Sequence, residues 1–293
     1  MKKPLFLLGL ILILAGLCFA EEDKEDKLEL SFILGGAFTQ LNSSSNYTNS
    51  WDLLLIRGVN ESATVTSASK NSVFYSGSFA YYFLQNSVDV GIQAGFGYAK
   101  SDAPGDTSFN LNWIWNDGTG DSRSWEWKGF GDLTIIPINI NGIMKFKDDK
   151  FNSYLSGGYT LFKNKFNAKS DMGIAISNWR PVPPKYYMQQ IDVAKVPITI
   201  SDSWTGHGIN IGAGIYYKKT EILAVTADIR YYYCPLKDMY WFWNTGTYAG
   251  VDKSWVTLNI DSETAAIYED ATTGFTVNPS FFVISVGFKI FIK

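Results

Sequence analysis

The chain has 293 residues and a formal net charge of −3, and it is rich in aromatic residues (16%) and glycine (26 residues). This length allows one large all-β domain or two small ones. No basic cluster of the kind found in nucleic-acid-binding proteins occurs, and no stretch after residue 20 approaches the ~18 consecutive apolar residues of a membrane helix.

Residues 1–20 have the three parts of a secretory signal peptide: a basic start, an apolar core and a small-x-small cleavage site. A lipoprotein signal would need a small residue before Cys18, and Leu17 is bulky. Cleavage after residue 20 would leave Cys234 as the only cysteine. The exported chain is therefore expected to fold without an internal disulfide.

A charged lead-in, EEDKEDK, follows at residues 21–27 and is predicted to be solvated. From Leu28 onward, apolar residues alternate with small or polar ones, which is the pattern of strands with one apolar face. We predict eight such strands, at about 28–41, 73–84, 88–98, 127–147, 152–162, 204–218, 222–233 and 281–293.

The alternation in the fourth of these strands changes phase around Pro137. Leu133 and Ile135 belong to one phase, and Ile138 and Ile140 belong to the other. Proline cannot donate a hydrogen bond to a β-ladder, so a β-bulge at this position would explain both the proline and the change of phase.

The connections between the predicted strands alternate in length. Those after strands two, four and six are tight turns, and the other four are long segments at about 42–71, 101–125, 164–203 and 235–275. The first long segment contains the apolar run Trp51–Ile56 and is compatible with a short hairpin of its own. Even strand number and long loops at one end are typical of membrane barrels, whereas a soluble sandwich has no reason for this asymmetry.

Two stretches resemble bacterial outer-membrane proteins. The predicted hairpin SFAYYFLQNSVDVGIQAGFGYAKS resembles the recurring unit of small OmpA/OmpW-like barrels. In the final strand, FFVISVGFKIFIK, the spacing of Ser285, Gly287, Ile290 and Ile292 resembles the C-terminal signal read by the barrel-assembly machinery, although that signal usually ends on an aromatic residue. The resemblance implies an all-β, eight-stranded antiparallel up-and-down transmembrane barrel over 28–293, in the bacterial outer membrane, with four long external loops.

If the apolar strand faces contact lipid, the opposite faces line the lumen. An eight-stranded barrel is just wide enough for side chains to fill it, and an unpaired buried charge costs several kcal/mol. We therefore expect a structural network of ion pairs; the alternative is a gated solute path, as in wider OmpW-like barrels. The charged residues on the predicted lumen faces are Glu29, Asp89, Asp132, Lys145, Asp228, Arg230 and Lys289.

All ten tryptophans fall in the long segments or at the strand ends beside them. Because aromatic residues favour membrane interfaces, this placement predicts an external aromatic girdle together with packing within the loops. The alternative is a stacking platform for a sugar or a lipid headgroup, for which the candidates are Tyr240, Trp241, Phe242 and Trp243.

The single histidine, His207, is the candidate for enzymatic function, since barrel-type outer-membrane hydrolases generally use a histidine at the outer rim. The alternation of its strand, however, places His207 on the face of Ile209 and Ile211, toward lipid. Residues 201–203, SDS, lie nearby, but nearness in sequence does not make a catalytic triad. We predict no catalytic site, metal site or cofactor.

The sequence supports three functional hypotheses. The first is a structural or surface-interaction protein whose external loops mediate contact with an unidentified ligand or shield the cell. The second is a narrow channel or a conduit for small or hydrophobic solutes, and the third is a rim hydrolase that depends on His207. We expect a monomer whose partners include outer-membrane lipids and the barrel-assembly machinery, and no nucleic acid.

Overall fold

The computed structural model describes residues 27–39, 42–51, 56–68, 70–85, 87–115, 118–148, 151–182, 186–240, 242–243 and 274–292. The predicted signal peptide (1–20) and nearly all of the charged lead-in lie outside these ranges. Within them, no helix is long and apolar enough to cross a membrane.

The described residues form fifteen β-strands. They are β1 Leu28–Thr39, β2 Asn42–Trp51, β3 Ile56–Ala68, β4 Ser72–Leu84, β5 Val88–Asp102, β6 Gly105–Trp115, β7 Gly120–Trp127, β8 Phe130–Phe146, β9 Phe151–Val182, β10 Tyr186–Lys218, β11 Leu223–Tyr233, β12 Lys237–Tyr240, β13 Phe242–Trp243, β14 Gly274–Val277 and β15 Phe281–Ile292.

Eight of these strands close into one antiparallel barrel, in the order β1-β4-β5-β8-β9-β10-β11-β15. Strand β15 returns to β1, with Leu28 opposite Ile292 at one end and Thr39 opposite Phe281 at the other. Closure gives each of these strands a partner on both sides within the barrel. The fold class is confirmed, and each of the eight predicted strands is present, but β9 and β10 extend well beyond the predicted ranges 152–162 and 204–218.

The predicted β-bulge at Pro137 is wrong. Strand β8 pairs with β9 in one continuous register along its whole length. Ile135 and Asn139 both point inward and are buried, and Ile138 and Ile140 both point outward and are exposed. What changes at Pro137 is the polarity of the two faces, not the backbone: along the chain, the inward face turns from apolar to polar, and the outward face turns from polar to apolar.

The segments predicted as long loops are largely β-structure. Strands β2, β3, β6 and β7 pair as a separate four-stranded sheet. The anticipated hairpin in the first long segment is therefore present as β2–β3, whereas the prediction of a loop at 101–125 is wrong, because β5, β6 and β7 occupy most of it. The predicted loop at 164–203 is also wrong. Strands β9 and β10 run through it as one hairpin in constant register, up to the pair Val182 and Tyr186.

The fourth long segment, 235–275, is described only in part. It contains the short strands β12 and β13 and the start of β14, which pairs with β12 as a two-stranded sheet. Strand β13 pairs with the external part of β10, where Ile198 lies opposite Trp243. At the other end of the barrel the connections are tight turns, as predicted. Short turns at one end and β-structure at the other give the barrel a long external side.

Candidate functional site

Buried side chains occupy the lumen at several levels, and the lowest level, beside the tight turns, is held by a buried ion pair. Lys289 on β15 contacts Glu29 on β1 through Nζ and Oε1, and both side chains are almost completely buried. Tyr82 donates its hydroxyl hydrogen to the other Glu29 oxygen at 3.2 Å. The Lys289 ammonium lies 3.9 Å from the centroid of the Tyr154 ring, within the range of a cation–π interaction.

A second buried pair lies at the same level. Asp89 on β5 is directly opposite Lys145 on β8, and their charged groups are 2.8 Å apart. Lys147, which is partly exposed at the rim, also lies 2.8 Å from this carboxylate. The Lys145 ammonium sits 4.0 Å from the Tyr82 ring centroid. Tyr82 therefore links the two ion pairs, since it also bonds Glu29.

A third charged group occupies the middle of the lumen. Tyr154 donates to Asp228 Oδ2 at 2.8 Å, and Arg230 Nη2 lies 3.5 Å from the same oxygen. Arg230 also donates to Ser156 Oγ at 2.8 Å and to Asn210 Oδ1 at 3.1 Å. Buried charges of both signs thus have partners at each of these levels. The attraction between the partners offsets the free-energy penalty of removing the charges from water.

The structure places six of the seven predicted lumen charges inside the barrel, and they comprise three acidic and three basic residues. Asp132 is the exception. Because β8 has no bulge, Asp132 shares the outward face of Ile138 and Ile140, and its side chain remains 29% exposed. It lies 3.7 Å from Lys100, another outward-facing residue. The assignment of Asp132 to the lumen was wrong because it depended on the shift of phase at Pro137.

Neutral amide side chains fill the space beside Arg230. Gln93, Asn141 and Asn210 form a chain in which neighbouring amides are 3.3 Å and 2.7 Å apart. A cavity of about 20 Å³ lies against Asn139, Gln93 and Arg230. A polar space of this size fits roughly one water molecule, and it is far too small to pass a solute.

Above the amides, the external end of the lumen is closed by an apolar cluster. Tyr232 stacks on Phe281 with ring centroids 4.7 Å apart and meets the edge of Phe162 at 6.3 Å. Phe74 packs at 5.9 Å from Phe281. Cys234, just beyond β11, belongs to the same cluster, and burial raises the pKa of its thiol to about 11, which leaves it a poor nucleophile.

The outward face of the barrel carries a continuous belt of exposed apolar side chains. On β5 the belt extends from Val88 to Tyr98, which spans roughly 33 Å along the strand and, at a tilt of about 40°, roughly 25 Å in height. A water-soluble monomer rarely exposes such a surface, whereas its height matches the apolar band of a membrane barrel. Members of the belt include Phe32, Leu34, Tyr75, Ile92, Phe96, Ile140, Leu155, Ile209, Ile211, Val225, Ile229, Ile284 and Val286.

The four residues of the predicted assembly signal lie on β15. Ser285 is buried in the lumen, and its hydroxyl donates to the Asp228 backbone oxygen at 3.4 Å. A Cβ on Gly287 would lie 2.0 Å from the Phe32 backbone oxygen, so only glycine fits there without moving the strand. Ile290 and Ile292 alternate with the inward-facing Lys289 and Phe291 and are partly exposed on the outward face.

Of the predicted aromatic platform, Trp241 lies outside the described residues. Tyr240 ends β12, and Phe242 and Trp243 form β13. The side chains of all four fall outside the described part of the chain. The structure therefore gives the backbone position of Phe242 and Trp243 beside β10 and leaves the platform a prediction.

His207 lies on the outward face of β10 and is exposed. Its Nδ1 is hydrogen-bonded to the hydroxyl of Tyr159. The neighbouring polar residues have other partners: Ser201 donates to Asn167 Oδ1 at 2.7 Å, and Asp202 lies 3.8 Å from Lys237. In the described ranges no three histidine, cysteine or acidic residues are grouped in a way that would hold a metal ion.

Sequence reasoning missed the lysines that follow the belt on β9. Lys163, Lys165 and Lys169 occupy the outward face directly beyond Leu161, and all three are exposed. The signal was present in the stretch KNKFNAK, in which lysine replaces the apolar residue of the alternation. It was overlooked because the strand was expected to end at residue 162.

No protein-family model matches the sequence, and no curated protein matches it. Among solved structures, the chain is similar to the outer membrane protein OprG of Pseudomonas aeruginosa (9% identity, TM-score 0.44, 90% of this chain and 94% of that chain). It is also similar to the outer membrane protease OmpT of Escherichia coli (10%, 0.44, 94% and 99%). A third is Ail, the attachment invasion locus protein of Yersinia pestis, in complex with the heparin analogue sucrose octasulfate (12%, 0.33, 90% and 99%).

The architecture follows from the chain itself. Eight strands close into a barrel with a filled lumen and an apolar outer belt, with tight turns at one end and extensive β-structure at the other. This is the architecture of a bacterial outer-membrane β-barrel.

Proposed function

We propose that the chain is an outer-membrane protein whose filled barrel is a rigid base for an external surface that binds a partner outside the cell. The observation that carries this proposal is the hairpin of β9 and β10. It continues far beyond Leu161 and His207, which pair at the outer edge of the belt. A barrel needs only about 9–11 residues per strand to cross a membrane, so the additional length serves something outside it.

The external structure is packed as a folded body. Phe109 of β6 is buried against Gly173 of β9, where an added Cβ would lie 2.6 Å from the ring. Thr107 and Ser170 are hydrogen-bonded at 3.1 Å between the same two strands. These contacts fix the four-stranded sheet to the hairpin. A surface ordered in advance loses less conformational entropy on binding than flexible loops do, which favours an interaction role.

The connection between β7 and β8 supplies a further fixed point near this body. Asp106 accepts hydrogen bonds from the Gly129 N–H at 2.9 Å and from Lys128 at 3.0 Å. Burial alone would raise the pKa of Asp106, but the two hydrogen bonds lower it below its ordinary value. The carboxylate is therefore ionised, and keeps this connection in place, at any pH near neutral.

The long side of the barrel faces outward and the tight turns face the periplasm in this proposal, as in barrels generally. Outer-membrane lipids and the barrel-assembly machinery are the partners during insertion, and the protein acts as a monomer. The identity of the external ligand is a matter for experiment.

A channel is the alternative function, and the lumen favours the plugged barrel over it. Three layers of side chains fill the interior, and the cavity among them holds about 20 Å³. An enzymatic role is supported less well still, because His207 is exposed on the outward face beside Tyr159, away from Ser201 and Asp202, which have partners of their own.

Planar-bilayer recording of the refolded chain separates the plugged barrel from the channel. We expect no conductance steps from preparations whose heat-modifiable gel mobility reports an intact barrel. A porin of known conductance, reconstituted in the same bilayer, is the positive control for detection. Phe281→Gly alone should also give no steps, because the layers of charged and amide side chains below the apolar cluster remain. Regular steps from the wild-type barrel would overturn the proposal in favour of a channel.

The external role is tested by attachment of bacteria that express the chain to immobilised proteins, polysaccharides and cells. Phe109→Asp should release the sheet from the hairpin and abolish the attachment, whereas Phe130→Asp, at an exposed position, should leave it unchanged. Attachment that is equal for wild type and Phe109→Asp would remove the role assigned to this surface.

A further inference from the structure

At the external edge of the apolar belt, the outward face of the barrel turns from apolar to basic within one step of the alternation. On β9, Tyr159 and Leu161 are followed by Lys163 and Lys165, all on the same face. In a barrel inserted to the height of its belt, the ammonium groups of these lysines lie at the depth of the lipid headgroups. Neither lysine has an ion-pair or hydrogen-bond partner among the described residues.

The strand register surrounds the two lysines with hydroxyl groups and a third lysine. Lys165 lies opposite Thr134 on β8 and Ser203 on β10. Thr134 also lies opposite Lys100 on β5, and Lys163 lies opposite Thr205 on β10. Adjacent strands are about 4.8 Å apart, so these side chains cover one compact area. We call this area the basic patch: Lys100, Thr134, Lys163, Lys165, Ser203 and Thr205.

The nearby acidic residues lie on the side of the patch away from the lipid. Asp102 and Asp132 are opposite each other in the next outward row, and Asp132 lies 3.7 Å from Lys100. Lys163 and Lys165 lie nearer the belt, on the side of the patch that faces the headgroups. An anion that approaches from the membrane therefore meets the lysines first.

We propose that the basic patch binds the phosphate groups of an anionic lipid in the external leaflet of the membrane. Phosphate oxygens accept hydrogen bonds from the ammonium and hydroxyl groups that the patch presents, and the charges attract each other. The acyl chains of the same molecule lie along Leu161, Ile136 and Tyr159 directly below. These apolar side chains favour a lipid over a free anion, because only a lipid has acyl chains that contact them. The inference rests on the membrane placement proposed above.

The test uses the full chain, refolded in zwitterionic detergent micelles, with lipid A as the probe. Lipid A carries two phosphate groups, so its enzymatically dephosphorylated form is the matched lipid and inorganic phosphate is the matched free anion. Bound lipid is counted by native mass spectrometry. We compare wild type with Lys163→Gln/Lys165→Gln and with Lys128→Gln/Lys219→Gln. The second pair removes the same charge at exposed positions outside the patch.

Each lysine near a membrane surface changes binding about fivefold, so the patch variant should bind lipid A roughly 25-fold more weakly than wild type. The control variant should stay within about twofold, the dephosphorylated lipid should bind poorly to all three proteins, and inorganic phosphate should not displace lipid A. Equal binding by wild type and the patch variant, equal binding of both lipids, or displacement by inorganic phosphate would overturn the inference.

Failure of the patch and failure of membrane insertion are distinguishable. The heat-modifiable band and protection of the belt from protease report a closed, inserted barrel whether or not a lipid is bound. An inserted patch variant with unchanged lipid binding refutes only the lipid site, whereas loss of the compact band for the wild type refutes the membrane placement itself.

Discussion

The same two strands, β9 and β10, run through two media with opposite side-chain patterns. Within the belt, β9 turns apolar residues such as Leu155 outward and polar residues such as Ser156 and Thr160 inward. Beyond it, Lys163 and Lys165 face outward and Phe162 and Phe166 are buried inside. The register with β10 does not change between these regions. The medium on the outward side of the strand, lipid or water, thus determines which face is apolar. Backbone pairing with β10 is the same in both regions and maintains the strand in each of them.

The largest contrast between the two regions concerns strand edges. Deleting Ile290–Ile292 from β15 should abolish insertion, because the edges left on β1 and β11 would expose unpaired backbone groups to lipid at several kcal/mol each. Deleting Phe242–Trp243, which pairs with β10 outside the belt, should leave the barrel intact because water satisfies that edge. Heat-modifiable mobility of the membrane fraction reports both outcomes. A compact band from the first deletion would contradict the assignment of β15 as the closing strand.

The second largest difference is expected between ion pairs inside and outside the barrel, in how much each contributes to the free energy of unfolding. Lys289→Met leaves Glu29 buried and unpaired, and should destabilise the barrel by about 3–5 kcal/mol. Lys128→Met breaks an exposed pair with Asp106 and should have little effect on unfolding. Urea unfolding from lipid vesicles measures both. The double variant Glu29→Gln/Lys289→Met is the control and should recover most of the loss; an equal loss in single and double variants would mean that the charge imbalance is not the cause.

The position of the belt boundary can be tested with one charge placed at two heights on the same face of β10. Ile211→Arg puts a cation in the middle of the belt and should cost about 2–4 kcal/mol. Ser201→Arg puts it on the same face beyond the belt and should stay within about 0.5 kcal/mol of wild type. Folding titrations into vesicles give both values. If the two substitutions cost the same, the boundary of the belt is misplaced.

The smallest expected effect is an acid transition confined to the external body. The pKa of Asp106 is lowered in the folded protein, so its stabilising contribution is complete above the ordinary value of 3.8 and is lost as the pH falls through the lower folded value. Protease cleavage of the connection between β7 and β8 should therefore increase as the pH falls below 3.8. Asp106→Asn should make the cleavage independent of pH in that range; an unchanged acid dependence in this variant would exclude Asp106 as its origin.

The sequence predicted the membrane part of the fold well, because lipid imposes a strong apolar signal on every second residue. All eight barrel strands and the tight turns were found on that basis. The same signal failed at Pro137, where the exchange of apolar and polar faces looks like a shift of phase although the ladder is continuous. Asp132 was assigned to the wrong face for this reason. Beyond the belt, β9 was predicted to end too early, at 162, and β10 was predicted to start too late, at 204.

The candidate site was also predicted only in part. The buried charges of the lumen, such as Glu29 and Lys289, were identified from alternation alone, because charge on the face opposite an apolar belt stands out. The partners of these charges were not identified, because the register between two strands that are distant in sequence cannot be derived from the pattern of either strand alone. The external body was missed almost entirely: its strands β6 and β7 have polar outer faces in water, and such faces resemble loops.

The ion pair of Glu29 and Lys289 bears on which strand closes the barrel. The two residues are 260 positions apart and lie on the two strands that meet last when the circle of strands is completed. If a strand other than β15 closed against β1, Glu29 would be buried without this partner, which carries a free-energy penalty. The pair therefore adds to the preference for closing β1 against β15 rather than against another strand of the barrel.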